Sequence, residues 1–108
     1  MGTNNGNAVP RLTPEQRAGA LEKAMAARMA RAAVKRGMKL GEISIKRALG
    51  LDVMQRARVR EVIAAMPGHG KAKADELMRE LGISPRKRVG GLGRRQRAAL
   101  LGVFGYVD

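Results

Sequence analysis

MPGHGKAKA, residues Met66–Ala74, decides how this chain is read. A proline and two glycines spaced one residue apart are followed at once by two lysines. Pro67 and Gly68 end the helix before them, and Gly70-Lys71 opens the next. A helix that starts on such a turn aims free backbone amides and the positive end of its dipole at whatever lies in front of it, which is a seat for an anion. Lys71 and Lys73 stand in the first turn, where the dipole disfavours cations. A bound phosphate explains them better than helix stability does.

A nucleotide P-loop fits poorly. That motif needs G-x-x-x-x-G-K followed by Ser or Thr after a strand; here Lys71 is followed by Ala72 and preceded by a helix. The arrangement is instead helix, Gly-x-Gly turn, helix, as in hairpins that hold nucleic-acid backbones and read little sequence. It occurs twice. Val89-Gly90-Gly91-Leu92-Gly93 is a second glycine turn, followed by Arg94, Arg95 and Arg97, with Arg86, Lys87 and Arg88 lying between the two turns. Either turn alone reads equally well as a sharp connector. Two alike, each trailed by cations, favour a phosphate cradle built twice. The predicted contact residues are Pro67, Gly68, His69, Gly70, Lys71, Lys73, Arg86, Lys87, Arg88, Gly91, Leu92, Gly93, Arg94, Arg95 and Arg97.

Thr13-Pro14-Glu15-Gln16 is a helix start with a capping box and proline at the first helical position. The Ala-, Met- and Arg-rich run behind it predicts a long helix to about Arg36, stopped by Gly37. Ala18, Leu21, Met25, Met29 and Ala32 share an apolar face, and the methionines at this spacing read as core. Arg28, Arg31 and Lys35 form a basic stripe beside that face, either a solvated helix face or a second DNA-contacting surface. A short helix is expected over 42–49 and a third over 52–66, with Asp52 as cap and Gln55 at the box position. A fourth follows from Lys71 to Leu81, stopped by Gly82 with Ile83 as the hydrophobic residue beyond it. The last runs from Arg94 to about Phe104. No segment alternates as a strand does, so the fold class is all-α. The domain expectation is a flexible tail over 1–11, a long helix over 12–37 and a compact unit over 38–108.

Composition bounds the function. The chain has 108 residues and a net charge of +13, from 22 Lys plus Arg against 9 Asp plus Glu. That imbalance points to a polyanionic partner. Phe104 and Tyr106 are the only aromatic rings besides His69, so single-stranded nucleic acid, whose bases stack on rings, is a poor fit. There is no cysteine, hence no disulfide framework and no cysteine zinc site, which fits a cytosolic protein. No apolar run reaches the length of a membrane span. A catalytic role finds no support: the serines are Ser44 and Ser84 alone, His69 is the lone histidine, and adjacent Asp75 and Glu76 point to different parts of a helix surface. No cofactor or metal is expected. His69 is expected on an exposed turn, within reach of phosphate. Pro67 reads first as a helix terminator, and second as an apolar wedge able to enter a base step at the minor groove.

The ordered set Leu12-Thr13-Pro14-Glu15-Gln16-Arg17, Val59, Met66 to Lys71, Leu81-Gly82-Ile83, Arg88 to Gln96 and Leu100 to Gly105 resembles the actinobacterial integration host factors, small nucleoid-associated proteins built on a helix-two-turns-helix element. The likeness runs from Leu12 to Gly105 and is least over 37–54. It implies a monomeric or weakly self-associating protein of the cytoplasm and nucleoid. Such a protein binds double-stranded DNA with little sequence preference, bends or compacts it, and assists a phage integrase in site-specific recombination. The family often carries a basic residue where this chain has Gly90. Two other readings stand beside it: an RNA-binding protein of the ribosomal helix-two-turns-helix type, and a protein-interaction adaptor whose charge serves solubility.

Overall fold

The computed structural model describes residues 11–106, so most of the expected tail lies outside the described residues. The chain is all-α: α1 (Pro14–Lys39), α2 (Ile45–Gly50), α3 (Val59–Ala64), α4 (Lys71–Glu80) and α5 (Arg94–Val103), with single 3-10 turns at Asp52–Met54 and Val89–Gly91. No strand occurs among the described residues; an isolated antiparallel bridge joins Arg58 and Arg88. The body is elongated, 58 Å against 27 and 26 Å, because the first half of α1 extends away from the rest.

The N-terminus of α1 forms as its sequence predicts. Thr13 accepts from the Gln16 amide at 3.0 Å, and the Gln16 side chain accepts from the Thr13 amide at 2.9 Å. Its end differs. Gly37 does not stop α1; the helix passes through it to Lys39 and closes at Gly41, whose φ is +78°. Gly41 N–H donates to Met38 O and Glu42 N–H to Gly37 O, the paired bonds of a left-handed helix stop. Gly37 serves packing: a Cβ there would sit 2.6 Å from Ile43 Cδ1.

The apolar face read on α1 also falls elsewhere. Leu21, Met25 and Met29 are 57%, 49% and 70% exposed, so these two methionines are not core. The helix docks instead through Val34, Gly37 and Met38. Alanine-rich sequence keeps α1 helical without tertiary support, and the 3.6-residue period cannot say which of two apolar faces the body takes. The core is aliphatic: Met38, Ile45, Leu49, Met54, Val59, Val62, Ile63, Met78, Val89 and Leu100 are fully or almost fully buried.

The helix expected over 42–49 begins at Ile45, where the Ser44 hydroxyl accepts from the Arg47 amide. The third helix is shorter than its sequence suggests. Residues 52–54 form a 3-10 turn and the helix starts only at Val59. Gln55 is no capping-box residue; its side-chain amide donates to Leu49 O and Leu51 O. The backbone from 55 to 59 pairs with the second glycine turn instead of helically: Gly90 N–H donates to Gln55 O, Val89 N–H to Ala57 O, and Val59 N–H to Lys87 O. Long-range pairing outweighs a local helix pattern here. The stop after α4 is as read, with Gly82 at φ +69°, Gly82 N–H donating to Arg79 O and Ile83 N–H to Met78 O.

Candidate nucleic-acid interface

Both glycine turns are present, and they are built differently. In the first, His69 N–H donates to Met66 O across Pro67-Gly68, with Gly68 at φ +79°. Proline at the second turn position and glycine at the third make this a type II turn. Gly70 is the N-cap of α4, in extended backbone. In the second, Val89–Gly91 form a 3-10 turn and Gly93 is the N-cap of α5, with no positive φ. Gly90 packs closely there: a Cβ on it would lie 3.2 Å from Gln55 O, a tight contact that a side chain at this position has to press against.

The helix starts differ. Hydroxyls cap α1 and α2. α3 has no side-chain cap, but its first amide, Val59 N–H, donates to Lys87 O. No side chain caps α4 or α5; their first-turn amides stay open, as an anion seat requires. The Gln96 side chain takes only the Gly93 amide, at 3.1 Å.

The cations fall into three groups. Lys71, Arg94 and Arg95 are exposed in the first turns of α4 and α5 and form no ion pair among the described residues. Lys73 folds back so that its Nζ donates to Gly68 O at 3.1 Å, holding the first turn while keeping two N–H donors for other partners. Arg97 is half-buried and reaches Leu49 O at 3.5 Å, so it ties α5 to α2 as well as standing near the turn.

The second group is a cleft between α1 and the body. Arg28 and Arg31 line one wall, Arg56 and Arg88 the other, with Ala24 and Ala27 beside them. Arg88 is fixed by donating to the Arg56 carbonyl. Arg88 therefore belongs with the α1 stripe rather than with either glycine turn. Arg86 is exposed and its carbonyl accepts from Arg58 Nη1 at 3.2 Å; Lys87 is half-buried and its aliphatic stem lies 3.4 Å from where a Gly91 Cβ would stand.

The third group is engaged. Lys35 pairs with Glu61 at 2.9 Å, and Arg60 holds Asp75 through two bonds of 2.5 and 3.0 Å. Lys35 is thus a strut between α1 and α3 before it is a member of the stripe. The Lys35 hydrogen bond holds the Glu61 carboxylate below its ordinary range, with Arg31 and Arg58 adding to it against partial burial. The Arg60 bond does the same for Asp75, and raises the Arg60 guanidinium further.

His69 is not free on its turn. It is half-buried, its ring centroid 5.2 Å from that of Phe104, and its Nδ1 lies 3.2 Å from Pro67 O. Pro67 and Gly68 are exposed at the turn tip, Gly70, Gly91 and Gly93 are exposed, and Leu92 is half-buried against the core.

Sequence reasoning missed Arg56, Arg58, Arg36 and Lys39. Arg56 and Arg58 sit in a segment read as helix interior. Arg36 and Lys39 line a groove with Ala32, Ala64 and Lys71 that joins α1 to the first turn. The charge density of MARAAVKRGMK was the available signal; which neighbour it faces was not. No helix among the described residues is long and apolar enough to cross a membrane.

Comparison with known proteins agrees with this architecture. The S13-like H2TH domain family matches residues 34–104. The integration host factor of Mycobacterium tuberculosis is 48% identical over 102 residues, covering 91% of this chain and 97% of that protein. That of Streptomyces coelicolor is 47% identical over 102 residues, covering 91% and 95%. A solved structure described as sIHF bound to an 8bp palindromic DNA superposes with a TM-score of 0.72 at 42% identity, over 78% of this chain and 99% of that one. With two glycine turns ahead of uncapped helices, a long N-terminal helix and relatives matched almost end to end, the chain belongs to the actinobacterial integration host factor family.

Proposed function

We propose that this protein is a sequence-tolerant, double-stranded-DNA-binding architectural protein, and that it is not an enzyme. The observation that carries the reading is the pair of glycine N-caps: α4 and α5 both open on glycine, with no side-chain cap and with exposed first-turn cations that form no ion pair among the described residues. Open amides flanked by Lys71, Arg94 and Arg95 bind phosphate oxygens, which fix position on a duplex without reading its sequence. The Arg28, Arg31, Arg56 and Arg88 cleft offers a second phosphate surface. A duplex engaged by both surfaces is bent; two duplexes engaged separately are bridged. Exposed Pro67 is placed to wedge a base step and kink the duplex. The DNA-bound relative supports the choice of partner. The same reading places the protein in the cytoplasm on the nucleoid and gives it a supporting part in phage site-specific integration beside an integrase.

The competing RNA reading is tested by competition. A labelled random-sequence duplex bound to the protein is challenged with unlabelled duplexes of unrelated sequence, single strands and structured RNA. The reading expects every duplex to compete about equally and better than RNA or single strands. Structured RNA displacing the duplex more efficiently than DNA itself would overturn it.

A further inference from the structure

Two basic hollows open beside α1. The arginine cleft takes Arg28 and Arg31 from the helix, and the groove at the first glycine turn takes Arg36 and Lys39. The hollows share no lining residue, yet their α1 cations share a face. Arg28, Arg31, Lys35 and Lys39 recur at steps of three, four and four residues, which keeps them within an arc of about 80° at about 100° per residue. From Arg28 to Lys39 this stripe runs about 16 Å at about 1.5 Å per residue. The seam with α3 holds it in place: Lys35 pairs with Glu61 at 2.9 Å, and Lys39 Nζ donates to Ala64 O at 3.2 Å. At its far end the groove reaches Lys71, the first residue of α4, whose starting amides are open.

We infer that the groove between α1 and Lys71 is a phosphate site joining the first glycine turn to the arginine cleft, so that one duplex lies along α1 and occupies both. The DNA backbone leaves the turn at Lys71, passes exposed Arg36 and Lys39, crosses the Lys35–Glu61 pair and enters the cleft at Arg31. Arg36 and Lys71 form no ion pair among the described residues, and Lys39 keeps two N–H donors beyond its bond to Ala64 O. The small side chains of Ala32 and Ala64 keep the groove open between them. A double helix is wider than the stripe is long, so two duplexes cannot share it side by side. The inference rests on the DNA-binding reading above and narrows it: both surfaces serve one duplex, which is bent rather than bridged to a second.

Glu61 stands on this path. It is the single carboxylate lining either hollow. It occupies Lys35, the cation midway between groove and cleft, and it repels a phosphate passing over the pair. Removing that one charge should therefore strengthen duplex binding, a gain that damage to the fold does not produce.

The test uses the full chain and a duplex of about fifteen base pairs, roughly one and a half turns, titrated at several salt concentrations. Arg36→Gln/Lys39→Gln should lower the salt slope by about 0.9 for each phosphate released. Its loss of affinity should be less than additive with that of Lys71→Ala, which shares the groove. Arg36→Gln alone, which removes no hydrogen bond within the fold, should give about half the change in slope. Lys46→Gln/Arg47→Gln removes the same charge from α2, where neither residue lines a hollow, and should leave the slope near the parent's. Glu61→Gln should bind more tightly, with a slope steeper by about one phosphate, because Lys35 is then free. Two such duplexes carrying donor and acceptor dyes should show no energy transfer when mixed with the protein. Energy transfer between them, a slope unmoved by Arg36→Gln/Lys39→Gln, an equal fall in the α2 control, or no gain from Glu61→Gln overturns the inference. Absence of any duplex binding by the parent overturns the DNA-binding reading itself, a result separate from binding that ignores the groove.

Discussion

The guanidinium of Arg88 donates to the backbone carbonyl of Arg56, and that bond turns Arg88 toward Arg28 and Arg31 across the cleft beside α1. A residue adjacent in sequence to the second glycine turn thereby serves a different surface. Arg88→Ala should weaken duplex binding and lower the salt slope by about 0.9, the share of one phosphate that is no longer neutralised. Its effect should be less than additive with Arg28→Ala/Arg31→Ala, which share the cleft, and additive with Lys71→Ala, which does not. Additivity in both combinations, measured by duplex titration, would dissolve the cleft into independent charges.

The two ion pairs predict how stability responds to acid. Asp75 and Glu61 have folded-state pKa values below their ordinary carboxylate range. A carboxylate lowered on folding contributes stability that is complete above its unfolded value, about 4, and is lost as pH falls through the lower folded value. Denaturant midpoints should therefore be flat from neutral pH down to about 5 and fall below about 4. Asp75→Asn should flatten part of that acid limb. Both residues of the Arg60–Asp75 pair are more than a third exposed, which keeps its contribution small at neutral pH.

His69 against Phe104 joins the first glycine turn to the end of α5. A double-mutant cycle with His69→Ala and Phe104→Ala should return a coupling of about 0.5–1.5 kcal/mol in thermal or denaturant unfolding. Zero coupling would make the ring contact incidental, and would return His69 to the exposed-turn role that the sequence suggests.

Gly37 and Ile43 should couple in the opposite sense. Gly37→Ala adds a methyl where Ile43 already stands, so it should be worse tolerated with Ile43 present than in an Ile43→Ala background, by on the order of 1 kcal/mol. Equal effects in both backgrounds would show that Ile43 moves aside freely.

Much of this architecture is written locally. The capping box at Thr13, the stop at Gly82-Ile83, the type II turn at Pro67-Gly68 and the uncapped starts at Gly70 and Gly93 each depend on neighbours within five residues, and each is legible in the chain. What is not legible depends on distant partners. Gln55 looks like a capping residue until the second turn pairs with its backbone. Gly37 looks like a helix stop until Ile43 packs on it. Met25 and Met29 look like core because periodicity marks an apolar face without naming what covers it. The cleft escapes for the same reason, since Arg56 and Arg88 are 32 residues apart and meet only in the fold.

Phosphate contact at the two glycine turns is read out by salt. The measurement is duplex affinity against salt, for the parent and for Lys71→Ala/Arg94→Ala/Arg95→Ala. With six to ten phosphate contacts, the parent should lose roughly a thousandfold or more in affinity between about 50 and about 200 mM salt. The variant should bind more weakly at low salt, with a slope shallower by nearly one for each phosphate it no longer holds. A slope unchanged from the parent's would make the glycine turns plain connectors and leave the arginine cleft as the DNA-binding surface.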